Sequence, residues 1–298
     1  MKVARINEIL FQGLIAIILV LFFSCFGKTP TFLGALREMF LLVSDTLRGQ
    51  NLQAHYMGVT WLQVWATLRL VIMSVLLSFL LGITLVTLRI VGRKLPFARL
   101  FQFISAVLEA IPEPMYVVAM FIWVLFLINH WGITLFPAFL SGQPRFIDTV
   151  VPAVTLSLPG GFYLERILYM SVREEIDKPY VRTAVSKGLS HQAVLFKHVL
   201  PNGLEVTLRQ MPVVSSLIIS SALFTEFFMN YQGALYQFTF AVGWNMVTGA
   251  FQGSPKPFHL PLYQSGLVFL LGGLLVVLWV FFRILFEWIY TVRYGRAS

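Results

Sequence analysis

Six long apolar stretches constrain the fold of this chain more than any other feature of its sequence. Each has roughly the 20 residues that an α-helix needs to cross the hydrocarbon core of a bilayer. Because that core holds no water to bond with backbone N–H and C=O groups, each stretch is predicted to be helical. The stretches run near 7–27, 65–88, 108–129, 149–172, 210–229 and 263–287.

The composition indicates that the bilayer, and not water, is the solvent for most of this surface. Of the 298 residues, 58% are hydrophobic and 12% are charged, whereas soluble domains usually carry about 25% charged residues. The formal net charge of +9 does not indicate nucleic acid, because the basic residues flank apolar runs and do not form one face. We therefore predict an all-α polytopic membrane protein, a single transmembrane domain over residues 1–298, with the lipid bilayer but no nucleic acid as a partner.

The first apolar run resembles a signal peptide, because Lys2 and Arg5 precede it. The run from Ile9 to Phe26 is longer than a typical signal core, however, and no convincing small-residue cleavage site follows it. We predict a retained first transmembrane helix. The single cysteine, Cys25, excludes a disulfide within the chain and a cysteine-based metal site.

The distribution of Lys and Arg predicts the orientation, since cytoplasmic loops carry an excess of both. With the N-terminus inside, the inner segments hold Lys2, Arg5, Arg89, Arg93, Lys94, Arg99, Arg173, Lys178, Arg182, Lys187, Lys197, Arg209, Arg293 and Arg296. The outer segments hold Lys28, Arg37, Arg48, Arg145 and Lys256. We expect a multi-pass cell-membrane protein with both termini in the cytoplasm. Residues 28–60 and 230–262 would then be outside, the former with an amphipathic helix from Leu33 to Leu47.

The longest predicted cytoplasmic segment, residues 173–209, has the signals of two short helices. Pro179 favours the first turn of a helix, and Gly188 is a natural stop after its end. Ser190 can cap a second helix, which we predict to end at Pro201. Helices this short are marginal alone in water. We therefore predict a docking surface on a cytoplasmic protein for this loop.

Several residue groups in and around this loop match a known family. They are Arg182-Thr183-Ala184, Lys187-Gly188-Leu189-Ser190 and His198-x-Leu200-Pro201-Asn202 in the loop, Val151-Pro152-Ala153-x-Thr155-Leu156-x-Leu158-Pro159 and Tyr163-Leu164-x-Arg166 before it, and Thr225-Glu226 after it. The loop closely resembles the cytoplasmic coupling-helix loop of permease subunits of ABC importers, in the variant of oligopeptide, dipeptide and nickel importers. The resemblance covers about residues 61–90 and 147–235. The chain departs from the family pattern at Val185-Ser186 and at Gln232-Gly233-Ala234-Leu235.

The resemblance implies a function and a set of partners. A permease of this type forms half of the translocation path for a small solute, most often short peptides, with a nickel or other metal chelate as the alternative substrate. It works with a second homologous permease, two cytoplasmic ATP-binding subunits that bind ATP and Mg²⁺, and an extracytoplasmic solute-binding protein. The residues implied to couple to the ATP-binding subunit are Tyr180, Arg182, Thr183, Ala184, Lys187, Gly188, Leu189, Leu200 and Pro201.

The sequence holds no motif for chemistry of its own. It contains neither the G-x-x-x-x-G-K-[ST] phosphate loop nor a hydrolase signature such as H-E-x-x-H or G-x-S-x-G. We therefore predict a transport subunit without an ATPase site, a cofactor or a metal site. An ATP-independent secondary transporter is the rival interpretation, although such proteins often show inverted repeats that are not visible here.

Polar and small residues within the spans are the remaining candidates. Carboxylates in a span often face a transport path or a partner charge, so Glu113 is a candidate for the path or its gate. The resemblance implies that Glu226 lies at the substrate path or at the subunit seam. The alternative is that they are interfacial carboxylates in water. Small residues allow membrane helices to approach closely, either within the chain or at the seam with a second permease. The candidates for such a seam are Ser74, Ser78, Gly82, Ser216 and Ser220.

The fourth span carries two further features. Pro159-Gly160-Gly161 is predicted to interrupt its helix, because proline removes a backbone hydrogen bond and glycine lowers helix stability. A bend there would let the coupling loop swing, and a static kink is the alternative. Glu165 and Arg166 are predicted to serve structure, by ion pairing or by reaching the interface.

Overall fold

The protein is described by a computed structural model over residues 3–26, 28–29, 31–48, 59–92, 98–133, 146–242, 244–245, 250–251 and 264–294. In this part of the chain, six helices are long and apolar enough to cross a bilayer. They run Arg5–Phe26, Trp61–Val91, Glu113–Trp131, Ile147–Ile176, Gln192–Phe228 and Ser265–Tyr294. All six predicted spans and the all-α class are confirmed.

The elements follow one another in a simple order. The helices are α1 (Val3–Phe26), α2 (Phe32–Arg48), α3 (Trp61–Val91), α4 (Ala98–Ala110), α5 (Glu113–Trp131), α6 (Val150–Ile176), α7 (Pro179–Ser186), α8 (His191–Val194), α9 (Leu200–Phe228), α10 (Phe238–Ala241) and α11 (Ser265–Tyr294). Short 3₁₀ turns cover Ile147–Thr149 and Leu235–Gln237, and a π turn covers Leu195–Val199. Strands β1 (Trp244–Asn245) and β2 (Ala250–Phe251) form one small antiparallel pair.

The core of the bundle lies where α3, α6, α9 and α11 meet. Helix α6 packs against both α3 and α9, α11 packs on α9, and α1 lies on the outside of α11. The buried side chains at the centre include Leu70, Leu156, Leu164, Ile218 and Leu278. Each of these helices therefore has one face against the others and leaves the rest of its apolar surface for lipid.

The small-residue face of α3 is used inside the chain. Ser74, Ser78 and Gly82 are buried, and the Ser78 hydroxyl donates to the carbonyl of Ser157 on α6 at 3.0 Å. A Cβ on Gly82 would lie 2.7 Å from the Cβ of Leu164. Of the two alternatives, packing within the chain is therefore the one seen at these three residues, because α6 occupies the face.

Helix α6 continues through Pro159, so the predicted interruption is also wrong. The glycines that follow serve close packing. A Cβ on Gly160 would lie 2.8 Å from both Ser78 Oγ and Val214 Cγ1, and a Cβ on Gly161 would meet a side chain of α3 just as closely. Their lack of a side chain lets α3 and α9 approach α6 at one level.

The predicted amphipathic helix after the first span is confirmed as α2, which runs Phe32–Arg48 against the predicted Leu33 to Leu47. Its Ala35 and Leu42 are buried, and α2 packs on α1. The rest of the predicted outer segments is only partly described. Among the basic residues used to orient the chain, those outside the described residues are Lys2, Arg93, Lys94, Arg145, Lys256 and Arg296.

Candidate functional site

Helix α7 has the beginning and the end that its sequence predicts. Pro179 lies in its first turn, and Gly188 adopts the left-handed conformation with φ +82°. The N–H of Leu189 donates back to the carbonyl of Ala184 at 3.3 Å. Glycine is favoured at such a position because a Cβ costs about 1–2 kcal/mol there. The glycine turns the chain sharply away from the helix.

One face of α7 is stabilised by its own chain. Val181 and Ala184 are buried in a cluster with Leu168 and Val172 of α6 and Val199 of the π turn. The bundle therefore supplies one docking surface for this short helix, so α7 does not depend on a partner protein alone for its stability. The residues that α7 and the following turn expose are Pro179, Tyr180, Arg182, Thr183, Val185, Ser186, Lys187, Gly188 and Leu189. Of the predicted coupling residues, Ala184 is buried and Leu200 and Pro201 are half-buried.

Tyr180 joins the two ends of the loop. Its phenol donates to Glu175 Oε2 at 2.6 Å and accepts from the side-chain amide of Asn202 at 3.1 Å. Glu175 also forms an ion pair with Lys178. Partial burial, with the bond to Glu175, raises the pKa of the Tyr180 phenol, which keeps it a donor. This link between α6 and α9 involves residues far apart along the chain, so the sequence pattern did not indicate it.

The second predicted helix of the loop does not end at Pro201. Ser190 caps its start, but α8, the π turn and α9 form one continuous helix, Gln192–Phe228. Proline normally breaks a helix because it lacks an N–H and its ring meets the carbonyl of the residue four earlier. The π turn at Leu195–Val199 ends two residues before Pro201 and is wider than an α-helical turn. It therefore gives the proline ring room beside the carbonyl of the preceding turn.

Glu226 lies near the C-terminal end of α9 and is fully buried. Its carboxylate accepts a hydrogen bond from Thr67 Oγ1 on α3 at 2.6 Å and from the N–H of Tyr236 at 2.8 Å. The Thr67 hydroxyl in turn accepts from the N–H of Ala234 at 2.8 Å. The carboxylate and the hydroxyl together hold the segment after α9 against α3.

Two neighbours complete this arrangement, which we call the Glu226 anchor (Glu226, Thr67 and residues 231–236). A Cβ on Gly233 would collide with the Glu226 carboxylate. The Tyr231 phenol donates to the carbonyl of Ala66 at 3.1 Å and lies 3.0 Å from Thr149 Oγ1. Glu226 is thus buried, and its hydrogen bonds hold the segment after α9 in place.

Glu113 is half-buried at the start of α5 and contacts α9. The third span begins at Glu113, a few residues later than predicted, because the helix breaks at Ile111–Pro112 between α4 and α5. Glu113 begins α5 and accepts a hydrogen bond from Ser221 Oγ at 2.5 Å, about two turns before the C-terminal end of α9. Glu109 instead pairs with Arg166 at 2.7 Å. The half-buried Glu113 carboxylate thus contacts the interior of the fifth span.

An ion pair ties α3 to α6 close to α7. Arg89 Nη1 lies 2.7 Å from Glu165 Oε1, and the guanidinium lies 3.7 Å from the centre of the Tyr169 ring. This agrees with the structural role predicted for Glu165. On α9, Ser216 is half-buried and Ser220 is exposed, so both stay available for contact with another subunit.

Comparison with known proteins also relates this loop to transport proteins. A family model, the binding-protein-dependent transport system inner membrane component, matches residues 80–291. The chain is 34% identical over 90 residues to a probable peptide ABC transporter permease of Sinorhizobium fredii, covering 30% of this chain and 29% of the relative. It is 30% identical over 99 residues to a dipeptide transport system permease of Lactococcus lactis, covering 33% and 32%.

A third relative, a putrescine export system permease of Escherichia coli, is 28% identical over 110 residues, covering 34% of each chain. The aligned regions thus span about a third of the length of these relatives. The family model, in contrast, covers most of the chain, including α6, α7, α9 and most of α11. The chain therefore belongs to the family of binding-protein-dependent transport system inner membrane components.

Proposed function

We propose that this protein is the transmembrane permease subunit of an ATP-driven importer and forms half of the path for short peptides. The observation that carries this proposal is α7, a short helix held on the ends of α6 and α9 that exposes Arg182 and is followed by the exposed Lys187, in a member of this family. Relatives named for peptides and dipeptides favour a peptide substrate over a nickel chelate. One relative is named for putrescine export, so the substrate requires a direct test.

The exposed face of α7 is proposed to dock on a cytoplasmic ATP-binding subunit. Movement of that subunit would reach α6 through the buried contacts of Val181 and Ala184, and α9 through Tyr180 and Asn202. The partner subunits would bind the ATP and Mg²⁺. A second permease and an extracytoplasmic binding protein complete the proposed complex, and Glu113 is the carboxylate best placed to line the path.

The proposed orientation can be tested with single cysteines. In a Cys25→Ser background, Ser44→Cys on α2 is expected to react with a membrane-impermeant maleimide in intact cells, because α2 would be outside. Ser190→Cys is expected to react only after the cells are opened. The test is labelling of each variant before and after permeabilisation. Labelling of Ser190→Cys alone in intact cells would reverse the proposed topology.

The proposed function predicts dependence on partners. When the protein is purified from native membranes in mild detergent, two ATP-binding subunits and a second permease are expected to accompany it. In proteoliposomes, the complex with its binding protein should take up radiolabelled di- and tripeptides only when ATP is inside, on the side of the ATP-binding subunits. A complex with a catalytically inactive ATP-binding subunit is the control. Uptake by the protein alone without ATP would support the secondary transporter instead.

A further inference from the structure

A cavity of about 480 Å³ lies between α1, α9 and α11, in the half of the bundle nearest α7. Charged side chains of both signs line it together with apolar ones. The charged residues are Arg5, Glu8, Arg209, Arg283 and Glu287, and the apolar ones include Ile9, Val213 and Trp279. A cavity of this size is within the usual range for small-molecule sites, and the coupling role proposed for α7 does not use it.

Two of the three cations at the cavity already have carboxylate partners. Arg5 Nη1 lies 2.7 Å from Glu287 Oε1, and Arg209 Nη2 lies 3.1 Å from Glu205 Oε1. The Arg209 side chain also contacts the phenol of Tyr290. These pairs leave little free charge at the positions of Arg5 and Arg209. Arg5 and Arg209 therefore flank the cavity, and the charged lining residues without an ion-pair partner determine which ligand it favours.

Arg283 is the cation whose charge is left for a ligand. It donates to the neutral Gln12 at 2.6 Å and lies 5.0 Å from the centre of the Trp279 ring. Among the residues that the structure describes, no carboxylate forms an ion pair with it. A charged side chain within a membrane span is costly unless a partner compensates it. Arg283 therefore favours an anionic group in the cavity.

A negative charge lies beside this cation. The side-chain amide of Gln12 donates to Glu8 Oε1 at 3.3 Å, so Gln12 contacts both Arg283 and Glu8. Glu8 is exposed and forms no ion pair within the described part of the chain. The cavity thus offers a cation and an anion on either side of one amide, an arrangement that fits a ligand with one negative and one positive charge.

The surroundings of the cavity favour a lipid over a dissolved solute. Arg283 lies five residues before Trp288 on α11, which is about 7 Å along the helix, and tryptophan is enriched at the level of the lipid headgroups. Val213, which lines the cavity, is exposed. A molecule with acyl chains can enter from the bilayer past this apolar side chain and place its headgroup at the depth of Arg283.

We propose that this cavity binds a glycerophospholipid whose headgroup carries a primary ammonium group. The phosphate accepts hydrogen bonds from Arg283, with Arg5 and Arg209 at its sides, and the ammonium donates to Glu8. A choline headgroup satisfies only the first of these contacts, because its quaternary ammonium has no hydrogen to donate. Basic pockets between transmembrane helices are established sites for anionic headgroups, and Glu8 gives this one its preference for ethanolamine.

The test is native mass spectrometry of the full-length chain titrated with phosphatidylethanolamine, phosphatidylcholine or phosphatidylglycerol. We expect the ethanolamine lipid to bind about tenfold more tightly than the choline lipid, since charge-assisted hydrogen bonds are about twice as strong as neutral ones. Arg283→Gln should weaken binding of all three. Glu8→Gln should weaken the ethanolamine lipid alone. Arg293→Gln, an exposed arginine later on α11, is the matched control and should change none of them.

Equal affinity for the ethanolamine and choline lipids, or unchanged affinities in both Arg283→Gln and Glu8→Gln, would overturn the proposal. Circular dichroism checks the fold of each variant, and Glu8→Gln still tests the site if Arg283→Gln does not fold. Soluble glycerophosphoethanolamine should compete weakly, because it lacks acyl chains. Full competition by it, or displacement of the lipid by dipeptides, would assign the cavity to a dissolved solute and contradict a lipid site.

Discussion

Gly188→Val is expected to lower uptake by about 5- to 30-fold, because strain of about 1–2 kcal/mol then opposes the turn after α7. Gly188 has φ +82° and no atom within 4 Å of a Cβ built on it, so the substitution meets conformational strain and no steric contact. Valine is a severe test because its branched side chain is also stiff. Peptide uptake, co-purified ATP-binding subunits and peptide-stimulated ATP hydrolysis in proteoliposomes are the measurements.

Two control variants test whether the effect on uptake comes from the size of the backbone strain or from its position after α7. Gly188→Asn should retain most activity, since asparagine enters the left-handed region far more readily than valine. Gly132, at the other end of the bundle after α5, has φ +64° and the same open space. Gly132→Val should therefore carry similar strain without loss of coupling. Normal ATPase stimulation and uptake in Gly188→Val would show that α7 is not the coupling element.

Breaking the Glu226 anchor is expected to have the largest effect on stability. Glu226→Ala leaves the Thr67 hydroxyl and the Tyr236 N–H without their acceptor, and each unsatisfied buried donor costs about 1–3 kcal/mol. We expect a clear fall in the melting temperature of the purified protein and in its amount in the membrane. Gly233→Ala should also destabilise, by about 1–3 kcal/mol, because its methyl group collides with the carboxylate.

The double variant tests whether this collision is the cause. Gly233→Ala should cost less in the Glu226→Ala background, with an interaction energy of about 1 kcal/mol or more, because the carboxylate that it meets is gone. Gly273→Ala on α11 is the matched control, since a Cβ there has no atom within 4 Å. Strictly additive effects of Gly233→Ala and Glu226→Ala would show that the two residues do not contact in the folded protein.

The elements that local physics determines were predictable from the sequence. Hydropathy and length located the six spans, and the amphipathic pattern located α2. At α7, Pro179 and Gly188 set both ends, because a fixed φ suits a first helical turn and a left-handed residue stops one. None of these conclusions depends on which helix packs against which.

The errors arise where tertiary contacts override a local rule. Pro159 and Pro201 were expected to break helices, but neighbouring helices hold the first in place and a π turn accommodates the second. Ser74, Ser78 and Gly82 were candidates for a subunit seam. The sequence pattern shows that these residues form a face of small side chains, but it does not show which helix packs on that face. The contact between Glu226 and Thr67 joins residues far apart in sequence, which no local pattern encodes.

The fifth span is one continuous helix from Gln192 to Phe228, so a change of its tilt displaces one end relative to the other. With 1.5 Å per residue, its 37 residues reach about 55 Å, from the loop beside α7 to the Glu226 anchor. Its Phe228 end is bonded to α3 through Glu226, and its other end contacts α7 through Asn202. A tilt of about 5° about the Glu226 end moves the other end by about 4–5 Å, given the length set by the helical rise.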